Sequence, residues 1–265
     1  MAILTGSFQS KELFRKVNFI AIIPTRTRSI YEPADAEANS GQPLKTLYLL
    51  HGWDGNHEDW LQNTRIVELA IKHHVAVIMP DGQNSFYVDQ TNGDHFGKFI
   101  GEELVQETRR LFQLSDKRED TTIGGLSMGG YGALRNGFYY SETFGNILAF
   151  SSKILTKQSE ALNTLIPSIS QRVASFIPGG SLRELPEEMD IEELAVKAFE
   201  KKAVQLYLSC GTEDNLIEEQ RSLHQFLTER QYLHECVEAS GAHNWDYWNS
   251  SIKQSMHWLY GNNNI

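Results

Sequence analysis

The chain has 265 residues, with 24 Lys and Arg against 34 Asp and Glu, which gives a formal net charge of −10. Hydrophobic residues at 40% and charged residues at 22% are typical of a globular protein and exclude disordered, collagen-like and coiled-coil chains. The negative charge argues against nucleic acid as a partner, because phosphate recognition needs a concentrated basic surface. We therefore expect one globular domain over residues 1–265.

No stretch of the sequence has the apolar length of a signal peptide or a membrane-spanning helix. Near the N-terminus, Lys11, Glu12 and Arg15 interrupt the short apolar runs, whereas a signal peptide carries a continuous apolar segment. The two cysteines, Cys210 and Cys236, are expected to be buried, reduced thiols, as in intracellular proteins. We expect a cytoplasmic protein without a membrane partner, and a homo-oligomer is compatible with the sequence.

Apolar runs of strand length alternate along the chain with segments of helical apolar spacing. Most of the runs are continuously apolar, as strands buried on both faces are. This alternation predicts an α/β fold, in which helices cover both faces of a mostly parallel central sheet. The predicted strands cover residues 17–23, 46–50, 75–79, 120–124, 146–150, 204–209 and 234–237, and the predicted helices lie around residues 100–112, 216–227 and 245–259.

Residues 156–202 interrupt this alternation with polar stretches and an acidic run around Pro186. The segment is long for a simple connection, so we expect a mostly helical insertion. Such an insertion either covers an active site as a lid or is a surface excursion without a catalytic role.

Ser127 lies in the pattern Gly125-x-Ser127-x-Gly129, between a predicted strand and a helix start rich in small residues. This context is typical of a nucleophile elbow, where a strained turn exposes the serine hydroxyl above a helix N-terminus. The pattern by itself is also compatible with a structural turn or a phosphate-binding loop. A phosphate-binding loop of the P-loop type needs Lys followed by Ser or Thr, which is absent here. We predict that Ser127 is a nucleophile.

A serine nucleophile needs a histidine base and a carboxylate that orients it, and in this fold they follow the serine in the order acid, then base. Asp214 and His243 occur in that order, each just after a predicted strand. Other histidines lie in or at the ends of predicted elements, where a packed or solvated side chain is expected. His73 and His74 end a helix, His224 and His257 lie within helical segments, and His234 begins a strand. Glu213 and Asp246 are alternative acids, because one adjoins Asp214 and the other follows His243 by three residues.

An oxyanion hole requires two backbone amides, one from the residue after the nucleophile and one from an earlier loop. Met128 supplies the first, and the loop that begins His51-Gly52-Trp53 supplies the second from Trp53, with Gly52 as the alternative. The acids and histidines of that loop match no compact metal motif, so we expect no metal and no cofactor. Asn84, Phe86 and Tyr87 follow another predicted strand and are predicted to contact substrate, although aromatic packing beneath the loop is equally compatible.

The segments LYLLHGWDGN, MPDGQNSFY, IGGLSMGGYGAL, CGTEDN and GAHNWDYW occur in this order. Together they make the sequence resemble the esterase D branch of the α/β-hydrolases, over nearly its whole length. That branch includes tributyrin esterases, S-formylglutathione hydrolases, feruloyl and acetylxylan esterases and mycolyltransferases. The resemblance is nearest to the bacterial intracellular tributyrin esterases. It is weaker to the formylglutathione enzymes, because HGWDGN lacks the Cys-Thr element that they tend to carry.

The resemblance implies a Ser127, Asp214 and His243 triad, an oxyanion hole made by the amides of Trp53 and Met128, and a small-molecule partner that is a short-chain acyl ester. Two other functions remain compatible with the fold. One is an acyltransferase that uses the same triad, and the other is an inactive hydrolase fold that binds partners. The complete triad argues against the inactive fold.

Overall fold

The computed structural model describes residues 1–25, 41–91, 93–158, 167–177 and 180–261. Within these residues, eight strands form one sheet in the order β1-β2-β4-β3-β5-β6-β7-β8. The strands are β1 Ala2–Gln9, β2 Lys16–Ile23, β3 Lys45–Leu50, β4 Val75–Pro80, β5 Thr121–Leu126, β6 Asn146–Phe150, β7 Gln205–Gly211 and β8 Glu235–Ala239.

The sheet is mostly parallel, which confirms the predicted fold class. β1 and β2 pair antiparallel, and β2 is also antiparallel to β4. Every pairing from β4 across to β8 is parallel. The sequence analysis missed β1, because this edge strand leaves apolar residues such as Ile3 and Leu4 exposed and has no continuous apolar run.

Helices cover both faces of the sheet, and each face has its own apolar core. One core contains Trp60, Ile66 and Ile252 from α1, α2 and α9. The other receives side chains from α4, α5, α7 and α8. No described helix is long and apolar enough to cross a membrane. The helices are α1 Asp59–Asn63, α2 Ile66–His73, α3 Phe96–Lys98, α4 Leu104–Leu111, α5 Met128–Tyr139, α6 Pro167–Ala174, α7 Ile191–Lys202, α8 Ile217–Glu229 and α9 Trp245–Tyr260.

The segment from 156 to 202 contains α6, two short 3-10 turns and α7 in its described part, while residues 159–166 and 178–179 lie outside the described residues. Two side chains of α5 bind the second 3-10 turn. The Tyr131 hydroxyl donates to the Met189 carbonyl oxygen at 2.7 Å, and the Arg135 Nε donates to the Glu188 carbonyl oxygen at 2.8 Å. This part of the segment is therefore attached to the helix that follows β5.

The turn from β5 into α5 is tight because glycines stand where backbones meet. A Cβ on Gly125 would lie 2.3 Å from the Gly129 carbonyl oxygen. A Cβ on Gly129 would lie 2.5 Å from the His51 carbonyl oxygen and 2.6 Å from that of Leu50. The absence of these side chains lets the first turn of α5 lie directly against the end of β3.

A buried histidine fixes the loop after β3 to the loop after β4. His51 is 1% exposed, and its Nε2 accepts a hydrogen bond from the Gly82 amide at 2.9 Å. Its Nδ1 lies 2.7 Å from the Gly52 carbonyl oxygen, so Nδ1 carries the proton of a neutral ring. Burial lowers the pKa of His51 below its ordinary value, which keeps this arrangement neutral.

We expect Gly125→Ala to lower the free energy of unfolding by about 3 kcal/mol, because overpacked backbone contacts cannot relax as flexible side chains can. Gly124→Ala is the matched control on the same strand, since its Cβ would meet its nearest neighbour, the Leu148 carbonyl oxygen, at 3.2 Å. Urea unfolding of both variants provides the measurement. An equal loss of stability in the two variants would contradict this account of the turn.

We expect His51 to make the protein less stable as the pH falls. Unfolded His51 takes up a proton below about pH 6.5, whereas the folded residue does so only at lower pH, so the unfolded state holds more protons between the two values. One such proton changes the free energy of unfolding by about 1.4 kcal/mol per pH unit at most. Urea unfolding across this window should show a flatter pH dependence for His51→Gln than for wild type, and equal dependences in the two proteins would contradict this account.

Candidate active site

Three side chains from separate loops meet at the carboxyl-terminal edge of the sheet. Ser127 follows β5, Asp214 lies three residues after β7, and His243 lies in the loop between β8 and α9. Because parallel strands end at one edge, residues far apart in the chain converge there. The structure brings together the three residues that the sequence analysis selected as nucleophile, acid and base.

Ser127 occupies the turn between β5 and α5 with φ of 56° and ψ of −116°. This backbone conformation is costly for a residue with a side chain. Hydrogen bonds hold it in place, because the Ser127 amide donates to the Phe150 carbonyl oxygen at 3.0 Å and the Ser127 carbonyl oxygen accepts from the Lys153 amide at 3.2 Å. The turn presents the hydroxyl at the N-terminus of α5.

His243 contacts both partners through its two ring nitrogens. Its Nε2 lies 3.1 Å from the Ser127 Oγ. Its Nδ1 lies 2.8 Å from the Asp214 Oδ2 and 3.1 Å from the Oδ1. The Trp248 ring packs edge-on against the imidazole, with centroids 4.9 Å apart. With a proton on Nδ1 directed at the carboxylate, Nε2 is left to accept the serine proton.

Asp214 is a buried carboxylate held in its ionised form. Burial is the largest influence and opposes ionisation, but hydrogen bonds from His243, the Leu216 amide and the Ser151 hydroxyl together lower the pKa of Asp214 below its ordinary value. The Leu216 amide donates to Oδ1 at 2.9 Å. Oriented donors thus replace the water that a buried carboxylate loses.

Neither alternative acid contacts the histidine. The Glu213 carboxylate accepts hydrogen bonds from the Gly241 amide and from the Thr212 hydroxyl. Asp246 is exposed in the first turn of α9. The carboxylate beside His243 is therefore that of Asp214.

Ser151 is a residue of this site that the sequence analysis did not select. It follows β6 and has a φ of 44°, and its Oγ accepts a hydrogen bond from the Trp248 Nε1 at 3.0 Å. Trp248 in turn packs on His243. No local pattern in the sequence predicts the hydrogen bond between Ser151 and Trp248, because these residues are far apart in the chain.

The backbone amides of Trp53 and Met128 lie in the two segments that glycines bring together at this edge. A Cβ on Gly52 would be 2.6 Å from the Leu126 side chain and 3.6 Å from the Ser127 Cβ. Met128 begins α5, and the first amides of a helix have no acceptor within it. Across the described residues, no hydrogen bond involves the Trp53 amide as donor.

Phe86 and Tyr87, two of the predicted substrate contacts, are buried in this structure. Phe86 and Tyr87 are 2% and 0% exposed, and both have positive φ. The Tyr87 hydroxyl donates to the His51 carbonyl oxygen at 2.9 Å, and Phe86 packs against Trp53 with ring centroids 5.9 Å apart. Both rings lie beneath the loop and support it, which favours the aromatic packing alternative.

Asn84 pairs with Asp54 of the loop after β3. Its side-chain oxygen accepts from the Asp54 amide at 2.9 Å, and its side-chain nitrogen donates to the Asp54 carboxylate at 3.0 Å. The Asn84 side chain therefore joins the loops after β3 and β4. Its carbonyl oxygen accepts from Arg172 of α6 at 3.4 Å.

The Cys210 thiol lies in β7 beside Asp214 and Ser151, and burial, followed by the charge of Asp214, raises its pKa to about 12. Cys236 in β8 is half-buried, and burial raises its pKa to about 11. Both cysteines are free. Over the described ranges, no three His, Cys, Asp or Glu side chains converge as metal ligands do.

Comparisons with known proteins agree on one family. Residues 24–259 match the family model described as "Putative esterase". An acetyl esterase from Caldicellulosiruptor saccharolyticus is 38% identical over 267 residues, which cover 98% of each chain. Two solved structures from Staphylococcus aureus each cover 98% of both chains with a TM-score of 0.82. One is a fluorophosphonate-binding serine hydrolase at 25% identity, and the other is an S-formylglutathione hydrolase at 26% identity.

The family match spans most of the chain, and the acetyl esterase aligns with nearly all of it. The parallel sheet with helices on both faces is the fold of the serine hydrolase structures. The chain therefore belongs to this esterase family, has the α/β-hydrolase fold and is a carboxylic ester hydrolase.

Proposed function

We propose that this protein hydrolyses short-chain acyl esters through a covalent acyl-enzyme on Ser127, with His243 as base and Asp214 as its orienting acid. The observation that carries the proposal is the unbroken chain of contacts from the Ser127 Oγ to the His243 Nε2 at 3.1 Å, and from the Nδ1 to the Asp214 carboxylate at 2.8 Å. A serine hydroxyl needs such a base, because it is a weak nucleophile at neutral pH.

In the first step, the Ser127 Oγ bonds to the acyl carbon of the ester while its proton passes to the His243 Nε2. The ester carbonyl becomes a tetrahedral oxyanion. When this intermediate collapses, the bond to the alcohol oxygen breaks, and the leaving alcohol takes the proton from Nε2. Asp214 stabilises the imidazolium that forms between these transfers and does not itself take the proton.

In the second step, water replaces the alcohol. His243 accepts a proton from the attacking water, the resulting hydroxide oxygen bonds to the acyl carbon, and the bond to the Ser127 Oγ breaks. The Oγ recovers the proton from Nε2, and a carboxylic acid leaves. These steps need no cofactor, because every proton is held by His243, Ser127 or the substrate.

The oxyanion is proposed to bind between the amides of Trp53 and Met128. One donor comes from the loop after β3 and the other from the first turn of α5, so the charge lies at a helix N-terminus, where the helix dipole favours it. Loss of one such donor costs on the order of 2.7 to 4 kcal/mol of transition-state stabilisation. The close approach of α5 to β3 is therefore part of the catalytic arrangement.

Short acyl groups are favoured in this proposal by the bulk of Trp53. Its ring packs on the buried Phe86, which limits its freedom to move away from a longer acyl chain. The relative named acetyl esterase supports the same substrate class. Hydrolysis of S-formylglutathione is the second candidate, supported by the S. aureus structure at 26% identity.

We propose that the described part of the 156–202 segment forms one wall of the substrate site within a single domain. The contact of Arg172 in α6 with the Asn84 carbonyl oxygen supports this placement.

We also propose a cytoplasmic location, since free thiols such as Cys210 and Cys236 persist in a reducing compartment.

We expect Ser127→Ala to abolish measurable turnover of p-nitrophenyl acetate and labelling by a fluorophosphonate. Asp214→Asn should lower kcat by about 10⁴-fold, because the amide favours the wrong imidazole tautomer. Rates are measured on folded enzyme of matched concentration. Ser250→Ala and Asp246→Asn, which alter exposed residues, serve as controls and should retain wild-type rates. Wild-type turnover no faster than that of Ser127→Ala would refute the esterase mechanism on this residue.

We expect kcat/KM to fall with acyl length along a series of p-nitrophenyl esters, and Trp53→Ala to move the optimum to longer chains. The variant keeps its backbone amide, so the oxyanion hole is retained while the pocket widens by roughly the difference between indole and methyl volumes. Phe199→Ala removes a partly exposed aromatic of α7 and should leave the length profile unchanged.

S-formylglutathione and acetylated sugars are assayed beside this series, and an added alcohol acceptor detects acyl transfer. A kcat/KM for S-formylglutathione well above that for every acetyl ester would replace the proposed substrate class. Transfer to the alcohol in preference to water would replace hydrolysis as the proposed reaction.

A further inference from the structure

The loop that carries the acid and the loop that carries the base are joined by one exposed side chain, that of Glu213. Its backbone amide donates to the Gly241 carbonyl oxygen at 3.0 Å. Its carboxylate oxygen Oε2 accepts from the Gly241 amide. Glu213 thus closes a ring of two hydrogen bonds with Gly241, two residues before His243.

The other carboxylate oxygen extends the same connection. Oε1 accepts from the Thr212 hydroxyl at 2.9 Å and from the Ser240 hydroxyl at 3.3 Å. The Thr212 amide adds a backbone hydrogen bond to the Ala239 carbonyl oxygen at 2.9 Å. One carboxylate therefore accepts hydrogen bonds from both loops.

Beyond these contacts, the backbone of the loop before His243 makes one further hydrogen bond among the described residues, from the Asn244 amide to the Ala242 carbonyl oxygen at 2.8 Å. Gly241 has a φ of 150°, a conformation in which glycine is favoured, and a Cβ there would lie 2.5 Å from the Tyr247 ring. On the far side of His243, Asn244 caps α9 by accepting from the Tyr247 amide at 3.1 Å. The helix cap fixes one side of the histidine, and Glu213 fixes the other.

We propose that Glu213 is a positioning residue, which holds the Ser240 to His243 loop so that the imidazole stays in line between Asp214 and Ser127. This inference rests on the proposed function, because it assigns a task within that triad. Glu213 acts through Gly241 and touches no reacting atom. Errors of an ångström in the position of a base lower the rate strongly, so a single loop anchor affects catalysis.

This anchor requires a hydrogen-bond acceptor at the end of a side chain as long as that of glutamate. The Gly241 amide is the largest influence that lowers the pKa of Glu213, followed by the Thr212 hydroxyl. Glutamine has the same length and offers one oxygen to the Gly241 amide, while its NH₂ can donate to the two hydroxyl oxygens. Aspartate keeps the charge but is shorter by one methylene, and alanine removes the acceptor.

The experiment compares Glu213→Ala, Glu213→Asp and Glu213→Gln with wild type and with Glu200→Gln, which alters an exposed carboxylate of α7. Active-site titration with a fluorophosphonate fixes the enzyme concentration, and kcat and KM are measured on p-nitrophenyl acetate well below the melting temperature. We expect kcat to fall about 10-fold in the alanine and aspartate variants, with KM unchanged. Glutamine should restore kcat to within about 2-fold of wild type.

A second measurement does not depend on turnover. Hydrogen exchange followed by mass spectrometry should show faster exchange across residues 239–244 in Glu213→Ala and wild-type exchange in Glu213→Gln. Equal kcat in Glu213→Ala and wild type, or an equal loss in all three variants, would overturn the positioning role. So would a fall in kcat that is matched by a rise in KM.

Failure of the proposed function gives a different result. In that case Ser127 is not labelled by the fluorophosphonate in the wild-type protein, and no variant shows turnover above Ser127→Ala. The hydrogen exchange comparison then decides by itself whether Glu213 anchors the loop. Exchange across 239–244 that is unchanged in Glu213→Ala refutes the anchor under either outcome.

Discussion

The site depends on one steric constraint, which is that no side chain can stand between the end of β3 and the first turn of α5. Gly129 faces the carbonyl oxygens of Leu50 and His51 at distances that a Cβ could not occupy. At the same turn Ser127 has a positive φ, a conformation that costs on the order of 1 to 3 kcal/mol. Backbone hydrogen bonds to Phe150 and Lys153 offset this cost. The strained backbone of Ser127 and the N-terminus of α5 therefore lie at one contact, that between α5 and β3.

The strand order places the proposed catalytic groups on two sides of Ser127. β5 lies between β3 and β6, so the loop with the Trp53 amide arrives from one side of the serine. Asp214 and His243 arrive from the other side, after β7 and β8. An ester carbonyl over Ser127 can thus meet an N–H donor on one flank and the base on the opposite flank. The parallel topology provides this separation because all these strands end at the same edge.

The sequence was sufficient to select Ser127, Asp214 and His243. The glycine pattern around Ser127 and the chain order of Asp214 and His243 carry their own local context, so their convergence could be predicted. For Phe86 the sequence left substrate contact and packing beneath the loop as alternatives, because strand-end position does not reveal whether a loop side chain points outward or inward. The edge strand β1 lacked an apolar run. The Ser151 contact with Trp248 depends on tertiary packing that no local pattern encodes.

Two requirements of the proposed mechanism, an oxyanion donor and a base, are held by different kinds of anchor. Neutral, buried His51 secures the loop of the Trp53 amide from below, whereas exposed Glu213 secures the loop of His243 from its outer side. Buried Asp214 is tied to the core through Leu216. The proposed mechanism uses no residue of the 156–202 segment. That segment can therefore change with the ester, while the proposed chemistry at Ser127 stays the same.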